Sequence, residues 1–173
     1  MRLDEKDGKI HVSYPFKPSA WQQKSNYGQA VAVQSNIEKR LVRDGLVESY
    51  DKEMNKAISA GSVVELTEQD MKDWTGPVHY LTHFPVIKPS SVTTKLRIVA
   101  NSKMKNQHTG LSLNDVVEPG PNSLNPLLDV LILFRGVEVG LLFDLCKAYQ
   151  QLVTGDLERH LRRFVYRSSP DQP

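Results

Sequence analysis

A chain of 173 residues has room for one domain with its own core and little more. Lys+Arg 22 against Asp+Glu 20 leaves a net charge of +2, which excludes a nucleic-acid binder announced by bulk charge and confines any basic surface to a local patch. The single cysteine, Cys146, excludes an internal disulfide and fits a reducing, intracellular setting, while neither MRLDEKDGKIH nor LLDVLILF with its Asp129 has the apolar length of a secretory signal or a membrane span.

Residues 1–26 read as an N-terminal segment extended over the surface, since VSYPFKPSAWQQ mixes prolines with aromatics. Residues 27–75 read as helical. Ala30, Val33, Ile37 and Leu41 recur at spacings of 3 or 4 and predict an amphipathic helix ending before Gly45. Leu46, Tyr50, Met54, Ala57 and Ile58 repeat the period, and Gly61 just beyond them suits a left-handed helix stop. The two helices should pair antiparallel. SVVEL is a brief strand candidate, and TEQDMKDW a short helix capped by Thr67 with Asp70 three residues on.

Residues 76–173 begin with TGPVHYLTHFPVIKP and KLRIVANS, two extended arms of a hairpin whose tip is SSVTT. NQHTGLSLNDVVEPGPNS reads as turn chemistry throughout, and SLNPLLDVLILFR as a helix with Asn125 at the cap and Pro126 in its first position. VEVGLLFD follows as a buried strand, KAYQQL and DLERHL as helical turns, and RRFVYR as a strand. This irregular mixture predicts the α+β class. The polar tail RSSPDQP brings no closing element, so an incomplete domain is expected.

Asp144 ends the apolar run VEVGLLF, where a carboxylate on a rigid strand end can face a cleft and serve a hard cation such as Mg²⁺. The other reading is a cap on the KAYQQL turn. Lys88, Lys95 and Arg97 surround the hairpin tip, either as phosphate ligands or as a solvated rim. His79 and His83 have the spacing of a helical zinc pair but fall in a strand-like segment with no third ligand near, so they are expected to serve packing and hydrogen bonds. No phosphate-cradling GxxxxGK[ST] occurs.

The order of PVHYLTHFPVIKPSSVTTKLRIVANS, GLSLNDVVEPGPN, LLDVLILFR and VGLLFDLCKAYQQLVTGDLERHLRRFVYR resembles the reverse transcriptase of BEL/Pao-type LTR retrotransposons over residues 14–167. The resemblance implies the fingers and first part of the palm of a right-hand polymerase, with an RNA or DNA primer-template and a dNTP as partners and Mg²⁺ as cofactor. It implies that FDLCKAY is the first catalytic motif, with Asp144 the catalytic, metal-binding carboxylate and the backbone N–H groups of Leu145 and Cys146 beside the triphosphate. Tyr149 takes the place of the ring that excludes a ribose 2′-hydroxyl, unless it is simply a core aromatic. Arg97 would clamp the triphosphate, with Lys88 and Lys95 as further cations.

Two departures stand out. Asn101 occupies a position where family members commonly carry Asp, and the family's Tyr-x-Asp-Asp turn has no counterpart in the chain. That turn is expected downstream of residue 173, with the rest of the pol polyprotein. One carboxylate cannot hold two divalent ions, so the chain is expected not to polymerise DNA unaided. A non-catalytic nucleic-acid-binding or interaction module is the alternative.

Overall fold

The computed structural model describes residues 2–3, 10–91, 95–144, 148 and 152–168. In chain order these form β1 (Arg2–Leu3), β2 (Ile10–Val12), a 3-10 helix (Pro18–Gln22), α1 (Tyr27–Arg43), α2 (Val47–Ser59), α3 (Glu68–Asp73), β3 (Tyr80–Leu81), β4 (His83–Ile87), β5 (Leu96–Ala100), α4 (Leu113–Val116), α5 (Leu127–Arg135), β6 (Leu152–Thr154), α6 (Asp156–His160) and β7 (Arg163–Phe164). The class is α+β. No helix among the described residues is long and apolar enough to cross a membrane.

The helical pair forms as its period predicts. Gly45 (φ 65°) turns the chain between α1 and α2, and Gly61 (φ 70°) closes α2 by donating to the Ile58 carbonyl at 2.9 Å. Leu41, Tyr50 and Met54 pack with Leu96 of β5 into a core bordered by Ile37, Ile98, Phe164 and Tyr166. Two positions depart from the pattern, Ile58 near the end of α2 and Val33 in α1. Val33 is exposed and Gln34 is buried in its stead, because the Gln34 side-chain oxygen accepts the backbone N–H of His83. A hydrogen bond to the hairpin thus outweighs apolar period at that turn.

The N-terminal segment, much of it exposed, is also tied into the fold. Strand β2 pairs in parallel with β6, Ile10 opposite Leu152, and β1 adds antiparallel to β2. Ala20 is fully buried with Leu81, Leu113, Val116 and Leu161 in a second core, with Phe16 and Leu157 against it. The prolines that discourage regular structure here start the 3-10 helix instead, Pro18 standing at its first turn. Tyr14 donates its backbone N–H to Glu158 at 2.9 Å, tying the segment to α6.

SVVEL forms no strand: Val63 tucks against the α1–α2 core and Val64 faces solvent, with no strand beside them among the described residues. The α3 cap forms as predicted, Asp70 N–H to Thr67 Oγ1 at 3.1 Å and Thr67 N–H to Asp70 Oδ2 at 2.8 Å, so the shorter carboxylate still completes the box. The turn-like stretch after residue 106 contains a helical turn, α4, opened by the same device: Ser112 Oγ accepts from Asp115 N–H at 3.3 Å while Asp115 accepts from Ser112 N–H at 2.9 Å. Helix α5 starts one residue late, with Pro126 as its cap in place of Asn125.

The largest correction is VEVGLLFD. It is neither buried nor a strand; Leu142 is 90% exposed, and Leu141 and Phe143 are nearly as open. An apolar run becomes a buried strand only where flanking strands pair with it, and among the described residues none does. Helix α5, apolar on all sides, is exposed as well. The KAYQQL turn lies largely outside the described residues, whereas DLERHL forms α6 and RRFVYR contributes β7, parallel to β3.

Trp74 is closely held. Its indole stacks on His160 at 4.1 Å, its Nε1–H donates to the Pro77 carbonyl at 3.1 Å, and its six-membered ring lies close to Gly76. A Cβ at Gly76 would stand 2.4 Å from Trp74 Cζ2. Gly76→Ala should therefore lose about 1–3 kcal/mol of stability through overpacking, read as a lower urea midpoint at unchanged slope.

Candidate functional site

The β4–β5 hairpin is the element that gathers charge. Its antiparallel register pairs His83 with Ala100, Pro85 with Ile98, Val86 with Arg97 and Ile87 with Leu96. The backbone N–H of Lys88 donates to the Lys95 carbonyl at 2.8 Å and carries the same register one pair further. Because side chains alternate along a strand, the face holding Leu96, Ile98 and His83 turns to the α1–α2 core. Arg97, Lys95 and Lys88 share the opposite face, all exposed.

That arrangement does not serve the sheet. Lys88 and Lys95 stand directly opposite each other, and like charges so placed cost stability. Among the described residues, none of the three cations forms an ion pair. A signal in the sequence marks the patch: no Asp or Glu occurs between Asp73 and Asp115, while Lys88, Lys95, Arg97, Lys103 and Lys105 all do. The bulk charge of +2 hides this stretch because acids elsewhere cancel it.

The chain leaving β5 is pinned by amides. Asn101 N–H donates to the Thr82 carbonyl at 2.8 Å, and its side-chain oxygen accepts from Lys103 N–H at 3.2 Å. That turn uses Oδ1, which an aspartate would supply equally, so Asn at this position leaves the local backbone intact. Gln29 on α1 donates to the Lys105 carbonyl at 2.9 Å and accepts from Gln107 N–H at 3.1 Å. Buried Asn106 donates to the Gln23 side chain at 3.1 Å and the Lys24 carbonyl at 2.5 Å, and accepts from His108 N–H at 2.9 Å. Lys103 and Lys105 therefore leave a fixed loop and point to solvent.

The two histidines are parts of the interior. His83 bonds the Tyr50 hydroxyl through Nδ1 and the Val165 carbonyl through Nε2 at 2.8 Å; a carbonyl can only accept, so Nε2 carries the proton. His79 is fully buried, its Nδ1 3.4 Å from the Asn106 amide and its Nε2 without a hydrogen-bond partner among the described residues. Burial pushes the His79 imidazole down to about 4 and the Tyr50 phenol up. A third, His160, accepts from Arg163 Nε at 2.9 Å; burial first and that guanidinium second hold its pKa down.

Asp144 is exposed at the end of the open 136–144 segment, and its side chain forms no ion pair or hydrogen bond among the described residues. It is not joined to Arg97, Lys88 or Lys95 by any such contact. Leu145, Cys146 and Tyr149 lie outside the described residues. Among the described residues no group of three or more His, Cys, Asp or Glu is placed to hold a metal ion. Comparison with family models, with curated proteins and with solved structures yields no match.

Buried neutral histidines make the fold acid-sensitive in a defined direction. An unfolded His79 takes a proton near its ordinary 6.5, whereas the folded one resists until about 4. Stability from this group is complete above 6.5 and is lost as pH falls through that window; His83 and His160, both lowered, act in the same sense. Urea unfolding at about pH 7.5 and about pH 5 should differ by about 2 kcal/mol from His79 alone, and His79→Gln should shrink the difference.

Proposed function

We propose that this chain is the fingers and first part of the palm of a reverse transcriptase of the BEL/Pao retrotransposon type, and that it engages the phosphates of a nucleic acid or nucleotide through the outer face of the β4–β5 hairpin. The observation that carries the binding part of this reading is the register that sets Lys88, Lys95 and Arg97 on one exposed face within an acid-free stretch. Arg97 offers a planar fork that matches phosphate oxygens, and the lysines act as point charges. The polymerase part rests on the order of the quoted sequence strings.

In that reading Asp144 is the first metal-binding carboxylate, Leu145 and Cys146 offer backbone donors to the triphosphate, and Tyr149 sits under the incoming sugar. The donor set does not fit a two-magnesium centre. Asp144 is one carboxylate, while two divalent ions held close together need several shared oxygen ligands. No catalytic step is therefore derived for this chain, and its residues support binding.

A second reading, a nucleic-acid-binding module without chemistry, is favoured by one observation: the cationic face is complete within the hairpin and uses no part of Asp144. The two readings separate on metal dependence. Duplex binding that persists in chelator, with no Asp144→Asn effect in Mg²⁺, supports the module; a Mg²⁺-dependent gain in nucleotide affinity that Asp144→Asn abolishes supports the polymerase relic.

Both predict salt-dependent affinity for a primer-template duplex. Replacing Lys95 and Arg97 together by Ala should weaken binding and lower the slope of log affinity against log salt by about 2, since each phosphate contact contributes roughly 0.9. Fluorescence anisotropy across a salt series reads this directly, and an unchanged slope removes the hairpin from the interface. The chain alone should give no template-directed primer extension with Mg²⁺ or Mn²⁺; clear incorporation would overturn the assignment of an incomplete catalytic set.

A further inference from the structure

Helix α5, LLDVLILFR, has no polar side: Asp129 and Arg135 are its charged residues, and every other residue is large and apolar. One side of it is partly covered. Val130 and Phe134, a turn apart, are its least exposed apolar residues at 41% and 42%, whereas Leu128 and Ile132, also a turn apart, stand open at 67% and 59%. The run after the helix folds back on the covered side, where the Phe134 ring occupies the place that a side chain on Gly140 would need.

From Leu124 to Phe143, thirteen large apolar side chains are exposed. At about 70 Å² apiece they reach the roughly 800 Å² that each partner of a stable protein interface supplies, more than a lone folded chain ordinarily leaves in one patch. The area calls for a partner, and the charges select one.

Asp129 and Arg135 each lie three residues from Ile132, about 4.5 Å before and after it along the helix axis, and both border it on the helix surface. Among the described residues neither side chain forms an ion pair or hydrogen bond. Laying a second α5 antiparallel on the first, Ile132 facing Ile132, brings the Asp129 of each copy level with the Arg135 of the other. A parallel pair would set acid against acid and base against base. The order acid, isoleucine, base is thus complementary to its own reverse, as an interface with two-fold symmetry requires, and antiparallel helix dipoles also attract.

We infer that the open face of α5 seats a second copy of this chain, in a two-fold dimer whose α5 helices pack antiparallel about Ile132 and bury Leu128 and Ile132 of each copy against the other. The dimer uses none of the β4–β5 cations, so it stands or falls independently of the hairpin reading.

Sedimentation equilibrium of the full chain over about 1–100 μM tests it, because a dimer's population follows protomer concentration. The mass should rise from the 19.6 kDa of one chain towards twice that value and stop there. Ile132→Glu changes a side chain that is open in the single chain, so folding is not at stake, and it should raise the dissociation constant at least about 100-fold. Asp129→Arg and Arg135→Asp should each raise it roughly 10- to 30-fold, since each variant sets like charges across the two-fold axis. Mixed in equal amounts, these two variants should pair with each other about as tightly as the unaltered chain, because every charged contact is again acid against base. A single-chain mass at every concentration leaves the face to a different partner and overturns the proposal. So does association that continues past two copies, a dimer indifferent to Ile132→Glu, or a mixture of the charge variants that restores nothing.

Discussion

The burial of Leu96 against Leu41, Tyr50 and Met54 decides which way the hairpin faces, and the basic surface follows from it. Side chains on a strand alternate, so seating Leu96 and Ile98 on the helical pair sends Lys95 and Arg97 outward. A slip of one residue would bury the cations and expose the core positions. His83, at the base of the partner strand, enforces the register from the other side through its bonds to Tyr50 and to the Val165 carbonyl. The ribbon is therefore anchored by packing along one face and by a buried imidazole at one end, which leaves Lys88, Lys95 and Arg97 exposed on the outer face.

A second constraint is the set of amides that binds the N-terminal segment to the chain after β5. Gln23, Asn26, Gln29 and Asn106 spend their side chains on backbone groups many residues away, replacing water at a junction where no sheet or helix could supply partners. Neutral amides do this without the cost of burying charge. The Glu38–Arg167 ion pair, 2.7 Å and partly buried, performs a similar task for the segment after β7, together with the Tyr166 hydroxyl donating to Asp51 at 3.1 Å. Among the described residues the 121–144 segment has no such ties. Helix α5 and the LLF run after it both expose their apolar side chains, of the kind that belong in a core or against a partner.

Much of the architecture was legible in local pattern. The 3-and-4 spacing of Ile37, Leu41, Tyr50 and Met54 reports a helical pair, Gly61 its end, and Thr67 with Asp70 the next start, because each depends on neighbours within one turn. The same logic would have found α4, since Ser112 and Asp115 repeat the cap spacing of Thr67 and Asp70. Gln34 in the core and Ala20 beneath a proline-rich stretch were not legible, because what buries them comes from His83 and from Leu161, far along the chain. VGLLF misled for the same reason in reverse: apolar composition states a capacity for burial, and partner strands decide whether it is used.

By itself the sequence determined the α+β class, the helical pair, the two hairpin arms and the absence of acid from the stretch that carries the cations. All of these are properties of short windows or of composition, where backbone geometry and side-chain period act directly. Only the tertiary structure decided that Lys88, Lys95 and Arg97 share one face, that β2 lies beside β6, and that Gln29 ties the Lys105 backbone to α1. Those outcomes depend on register and on hydrogen bonds between distant residues, which no local window contains.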